Sequence, residues 1–242
     1  MALSDVLLKK LSKHSKLEAA DVEAIRRLTC KLRELESGED FLSQGDKPKA
    51  SAVVLDGLVA RYHTLTGGGR QYLSVHFPGD WPDAQGLFLD RMDHSVCAMG
   101  RATLCAIHHE ELVETFRRRP AVGFAVWRET LIDAAIFRES ITNNGSRDGV
   151  TRLAHFFAEV HHRAKMVGLV KDGTCKLPFS QTQLSELLGT SLISTNRHLK
   201  ALRAKGAAEF RLGRLTVHDP KRLADLGDFD PLYLHDRVQA TR

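Results

Sequence analysis

The chain has 242 residues and lacks the run of roughly 20 apolar residues that a membrane-crossing helix needs. Its first segment is also broken by Lys9, Lys10, Lys13 and Lys16. That excludes a helical span and a secretory leader of the usual form, and it points to a cytoplasmic protein without a membrane partner. Cysteine is scarce. Cys30, Cys97, Cys105 and Cys175 lie far apart with no Cys-x-x-Cys pair, which excludes a zinc ribbon or a dithiol redox motif. In a reducing compartment all four are expected as free thiols. His-x-His is absent too, so the usual ligand pair of a metal-dependent jelly-roll enzyme is missing. The adjacent pairs His108-His109 and His161-His162 do not replace it, because neighbours on a helix point about 100° apart. The expectation is therefore no catalytic residue, no metal and no cofactor.

What is present is unevenly distributed. The formal charge is only +5, yet Gly145–Arg242 carries 16 Lys and Arg against 10 Asp and Glu, while the first 144 residues carry 19 against 20. A neutral front and a basic back suit a sensing or assembly domain joined to a domain that binds a polyanion. Residues 4 to 36 show helical periodicity, with Leu7, Leu8, Leu11, Val22, Ile25, Leu28 and Leu32 at steps of three and four. From Leu35 the pattern changes to short apolar runs separated by Gly38, Gly45, Gly57, Gly67 to Gly69, Gly79 and Gly86. Strands are expected around Val53–Leu55, Leu58–Tyr62, Tyr72–Phe77, Ser95–Met99 and Ala102–Ile107, which together make a small β-barrel or jelly roll. After Pro120, a good first-turn residue, Phe124, Trp127, Leu131, Ala134, Phe137 and Ile141 form an apolar stripe. Such a stripe can pack on its own barrel or pair with a second copy. Asn143-Asn144-Gly145-Ser146 is expected to stop this helix and form a hinge. A further helix spans Asp148 to Met166.

Residues 178 to 217 read as a winged helix-turn-helix. Ser180 with Gln183 forms a capping box. Leu184, Leu187 and Leu188 are the buried face of the first helix, Gly189 makes the turn, and Ser191 caps the second helix. There Thr195, Leu199 and Leu202 point inward and Gly206 ends the helix. Phe210, Leu212, Leu215 and Val217 flank Gly213 in a hairpin. Leu192, Ile193, Asn196, Arg197 and Lys200 then face outward, where one helix can enter a major groove. Arg197 can bridge guanine O6 and N7, and Asn196 can bridge adenine N6 and N7. Ser180, Gln181, Ser191 and Arg214 complete the expected DNA-binding set, with Lys200, Arg203, Lys205 and Arg211 as candidates for phosphate contacts.

In this order the parts resemble the cyclic-AMP receptor protein and fumarate–nitrate regulator (Crp/Fnr) family. The resemblance runs from about residue 15 to 220. It rests on the barrel turns Gly38-Glu39, Gln44-Gly45-Asp46, Leu55-Asp56-Gly57 and Pro78-Gly79-Asp80, on Val150-Thr151-Arg152-Leu153-Ala154, and on Gly189 through Leu202. It implies a cytosolic homodimer that regulates transcription on a two-fold symmetric DNA operator, usually as an activator, with RNA polymerase as a partner. The departures are informative. Where cyclic-nucleotide-binding members use Gly-Glu and Arg-Ser, this chain has Asp83-Ala84 and His94-Ser95. On the long helix the residues matching the adenine contacts are Phe137 and Arg138. Gating by cyclic AMP is therefore not expected. Cys30 is the only cysteine before residue 97, so the iron–sulfur ligand set of the oxygen sensors is also missing. Ile193 replaces a glutamate common in the family, which predicts a different operator. The expected fold is α+β, with a barrel and N-terminal helix over 1–119, a dimerisation helix over 120–145, a winged helix-turn-helix over 146–222 and a tail over 223–242. A haem-, redox- or small-molecule-gated regulator and an architectural DNA-binding dimer stand as alternatives.

Overall fold

The computed structural model describes residues 2–236, and the chain divides into two compact units. The first comprises the N-terminal residues to His63, Val75–Ala135 and the described residues 234–236. The second comprises Thr64–Ser74 and Ile136–Tyr233.

The first unit opens with α1 (Leu3–Leu11) and α2 (Ala19–Arg26). Helix was expected to residue 36, but the chain leaves it at Arg26 and enters β1 (Lys31–Leu35). Leu28 and Leu32 fit a four-residue helical step, yet Leu32 is an exposed strand residue. Pairing of β1 with a distant strand overrides a local periodicity that was compatible with either state. Next come β2 (Asp40–Leu42), β3 (Ala50–Asp56), β4 (Val59–Thr64), β5 (Arg70–His76), β6 (Ser95–Ala98) and β7 (Ala102–His108). They form two sheets, ordered β1-β7-β3 and β2-β6-β4-β5.

Strands β3 and β7 are buried on both faces, which explains their unbroken apolar runs. Side chains alternate along a strand, so Ala52, Val54, Ala102 and Leu104 fill the barrel interior with Leu35, Val59, Met92, Val96 and Ala98. Val53, Leu55, Cys105 and Ile107 face the other way. There Leu7, Leu11 and Ile25 cover them, together with Leu112 of α3 (His109–Arg118) and Val122, Ala125 and Val126 of α4 (Pro120–Ser146). Gly57 is required after β3. Its φ is +77°, and a Cβ there would lie 2.3 Å from the Arg101 carbonyl oxygen.

Two expectations are corrected in this region. Cys30 and Cys105 are joined in a disulfide with Cα atoms 5.4 Å apart, so they are not free thiols. The antiparallel register that sets Lys31 opposite Ala106 brings them together across 75 residues of sequence, which spacing alone does not reveal. Cys175 is a free, buried thiol, and Cys97 is buried as well. The second correction concerns α4, which does not stop at Asn143 but runs through Ser146. Asn143 is buried, and its Nδ2 donates to the Arg152 carbonyl at 3.2 Å instead of capping. Arg147, just beyond the last turn, bonds Glu139 Oε1 at 2.7 Å.

The second unit contains the end of α4, then α5 (Gly149–Met166), β8 (Thr174–Lys176), α6 (Gln181–Leu188), α7 (Leu192–Ala204), β9 (Ala208–Arg211), β10 (Arg214–Val217) and α8 (Pro220–Gly227). Asp148 caps α5 by accepting from the Val150 and Thr151 amides. Residues 223–242 were expected to be a tail. Among the described part of them, α8 continues to Gly227, with Leu223 buried, and a 3-10 turn follows over Pro231–Leu234. Helix α8 lies against α5 so closely that a Cβ on Gly227 would sit 2.5 Å from the His155 amide nitrogen. A buried polar set surrounds that crossing. His155 Nδ1 bonds the Gly227 carbonyl at 3.0 Å, and the Tyr233 hydroxyl donates to Glu159 Oε2 at 2.8 Å.

Candidate nucleic-acid interface and barrel site

Helix α6 begins as the sequence indicates. Ser180 Oγ accepts from the Gln183 amide at 3.1 Å, while Gln183 Oε1 accepts from the Ser180 amide at 2.8 Å. Gly189 ends the helix in the left-handed region, at φ 60° and ψ 38°. Ser191 then caps α7 by accepting from the Ser194 amide at 3.1 Å. Thr195 and Leu202 are fully buried, and Thr195 bonds the Thr190 hydroxyl at 2.7 Å, which ties the turn to the second helix. Leu199 is half-buried.

Helix α7 is also fixed from behind. A Cβ on Gly149 would lie 1.9 Å from the His198 ring, so α5 and α7 touch through a glycine. Arg152 of α5 donates to the Leu188 carbonyl at 3.0 Å and thereby satisfies the end of α6. The outward face of α7 carries the predicted residues. Leu192, Ile193, Arg197 and Lys200 are exposed, Ile193 to 83%, and Asn196 is half-buried. Ser180, Gln181, Ser191 and Arg214 are exposed as well.

The hairpin behind α7 is a three-stranded sheet ordered β8-β10-β9, and β8 was missed in the sequence. A three-residue strand has too few positions for an alternating pattern to register. The β9–β10 turn is Leu212-Gly213, with φ values of 50° and 68°. Positive φ at both central positions matches the strand twist, but Leu is a costly occupant of the first.

The expected effector residues are differently placed. Asp83 is wholly buried, and its Oδ1 accepts from the Ala52 amide at 2.8 Å while Oδ2 has no partner among the described residues. Burial pushes its carboxyl up to about 7. Ala84 begins a 3-10 turn. His94 is buried between Asp93 Oδ1, at 2.7 Å, and the Pro82 carbonyl, at 3.2 Å. Burial and then the Arg61 guanidinium hold the imidazole below its ordinary pKa, and they outweigh Asp93. Ser95 Oγ accepts from the Gln44 amide at 3.0 Å. Phe137 and Arg138 lie on α4 in the second unit, half-buried and exposed respectively.

The residue that dominates the barrel site is one the sequence reading passed over. Arg61 of β4 is 2% exposed. Its Nε donates to the Pro82 carbonyl at 2.6 Å, one Nη donates to Asp133 of α4, and the other reaches the Trp81 carbonyl at 3.3 Å. The signal was a lone guanidinium in the apolar strand Leu58-Val59-Ala60-Arg61-Tyr62.

A β-barrel followed by a long helix and a winged helix-turn-helix defines a DNA-binding regulator built on a sensor-type barrel. Comparison with known proteins agrees at both ends. The family model described as a cyclic nucleotide-binding domain matches residues 32–119, and the Crp-like helix-turn-helix domain matches residues 151–226. The chain belongs to the Crp/Fnr family, whose members are transcription regulators and not enzymes. It is 25% identical over 224 residues to the nitrogen fixation regulation protein FixK of Bradyrhizobium diazoefficiens, covering 92% of each chain. To the transcriptional activator protein FnrL of Cereibacter sphaeroides it is 23% identical over 201 residues, covering 81% of this chain and 80% of the other. The structure of FixK2 from Bradyrhizobium japonicum has the same fold, with a TM-score of 0.73 at 21% identity, covering 82% of this chain and 98% of that one.

Proposed function

We propose that the protein acts in the cytoplasm as a homodimer, binds a two-fold symmetric operator without cyclic AMP, and recruits RNA polymerase. The observation that carries the dimer is the apolar stripe on α4. Phe124 is 64% exposed and Trp127 59%, with Leu131 and Ile141 also open, while Val122, Ala125, Val126 and Ile132 on other faces are buried. Isolated large apolar residues on a surface are ordinary, but an aligned series along one helix face marks an interface. A second copy of the same helix supplies a matching face, and isologous pairing is the commonest route to a dimer.

Independence from cyclic AMP is supported by Arg61. Its guanidinium is already spent on Asp133 and two backbone carbonyls. His94, at the position matching the phosphate-binding arginine, is held toward the neutral form and cannot replace a permanent cation. Arg197, Asn196, Leu192 and Ile193 then read base edges, with Lys200, Ser180, Gln181, Ser191 and Arg214 placing the helix on the backbone.

The test is binding to a duplex selected by the protein from a randomised DNA pool, with and without cyclic AMP. The expected outcome is one dimer per palindromic site and the same Kd with or without nucleotide. A monomeric complex, or binding that appears only with cyclic AMP, would overturn the proposal.

A further inference from the structure

Only Arg147 and Asp148 separate α4 from α5, where the sequence pattern reads as a hinge. Within the second unit, however, that joint is bonded from α4, from α5 and from the segment after α8. Arg147 stands at its centre, with a side chain 12% exposed. One Nη donates to Glu139 Oε1 of α4 at 2.7 Å. The other donates to the Asp228 carboxylate at 3.0 Å and to the Asp228 carbonyl at 3.3 Å. The Arg147 carbonyl in turn accepts from Arg152 of α5 at 3.1 Å. One guanidinium therefore ties the last turns of α4 to a residue 81 positions further along the chain, through charge-assisted bonds.

Asp228 opens a short segment, residues 228–233, that lies along α5. It leaves α8 at φ 49°, and the Phe229 amide donates to the Ala224 carbonyl at 3.0 Å, which fixes the reversal. Phe229 then packs edge-on against His155, with ring centroids 5.5 Å apart, and also meets the His162 ring. Tyr233 stacks on His155 at 6.2 Å and meets Phe229 edge-on. Its hydroxyl, bonded to Glu159, lies 3.3 Å from His155 Nε2. That same nitrogen lies 3.5 Å from Glu139 Oε1, so the carboxylate held by Arg147 also borders the aromatic stack. Aromatic pairs and polar bonds reinforce one another where water is excluded.

We propose that residues 228–233 are a strap that locks the α4–α5 joint and holds the helix-turn-helix in one setting on the end of α4. This deepens the reading of a DNA-binding dimer that works without cyclic AMP, and it rests on that reading: a joint locked from within needs no ligand to order it. Two half-sites demand two recognition helices at a set spacing, and a free joint spends binding energy on becoming ordered. Asp228, Phe229 and Tyr233 are positioning residues that act through the joint.

The experiment uses the full chain, with hydrogen–deuterium exchange of the free protein and Kd for the duplex it selects from a randomised pool. Phe229→Ala together with Tyr233→Ala removes the stack. Exchange over residues 143–152 should then speed up by about tenfold or more, while α6 and α7 keep wild-type protection. Kd should weaken by about tenfold, since only the ordered fraction binds. Tyr233→Phe keeps the ring and loses the bond to Glu159. Asp228→Asn keeps a residue that tolerates positive φ and loses the charge facing Arg147. Each should give the same pattern at about threefold, and both provide the readout if the double variant fails to fold. Wild-type exchange at the joint, loss of protection spread equally over α6 and α7, or a freed joint with unchanged or tighter Kd would overturn the strap. Wild-type protein that selects no duplex would instead overturn the DNA-binding reading, and exchange would still decide whether the joint is locked.

Discussion

Asp83 and Arg197 show how differently a charged residue behaves in the two units. Asp83 is wholly buried against β3, and burial pushes its carboxyl up to about 7. In the unfolded chain the same group titrates near 3.9. Below pH 4 it is protonated in both states and costs nothing. Between about pH 4 and pH 7 the unfolded state releases a proton that the folded state keeps, so stability falls as pH rises through that window. The loss is on the order of 4 kcal/mol. Thermal melts of Asp83→Asn should lack this component, and a variant with the wild-type pH profile would refute it. Arg197 is exposed and free to reach a base. Replacing it with Ala should relax specificity at one base pair per half-site and cost roughly 1–3 kcal/mol there. Competition among duplexes mutated singly at each position checks this, and uniform weakening on every duplex would count against the guanine contact. The sequence disclosed Arg197 because its helix is amphipathic. It did not disclose Arg61, because nothing local shows that Asp133, 72 residues away, closes an ion pair with it.

Among the elements, those governed by local rules were legible and those governed by pairing were not. The Ser180–Gln183 box, the Gly189 turn and the Ser191 cap depend on residues within four positions of one another, and each stands where the sequence put it. The apolar stripe of α4 was legible too, since 3.6-residue periodicity survives whatever the partner. By contrast β1, β8 and the continuation of α4 past Asn143 depend on contacts with distant strands or helices. The stripe offers a direct check. Trp127→Glu together with Leu131→Glu should shift the sedimenting species toward monomer and weaken operator binding at least tenfold, while the fold of each unit persists because both positions are exposed. The crossing of α5 and α8 offers another. Gly227→Ala drives a Cβ into the His155 backbone, which cannot rotate aside, and should lower stability by about 2–3 kcal/mol in denaturant titration. An unchanged midpoint would mean that α8 shifts away without cost.

For the molecule as a whole, the charge asymmetry of the sequence proves to be a matter of arrangement more than of total. A formal charge of +5 is modest, but the excess falls in the half that carries the helix-turn-helix and the wing. Composition gave the sign of the partner, and the register of β8, β10 and β9 gives a row of positive charge, with exposed Arg214 opposite both Lys176 and Arg211. That row has a thermodynamic signature in the free protein. Mutual repulsion among Lys176, Arg214 and Arg211 is screened as electrolyte is added, with a Debye length of about 10 Å at 0.1 M. The same ions compete for the DNA phosphates. Ionic strength should therefore act in opposite directions on the two forms, raising the melting temperature of the wing-bearing unit alone while loosening its complex. In this sheet the instability of the empty state is the complement of its affinity for the filled one.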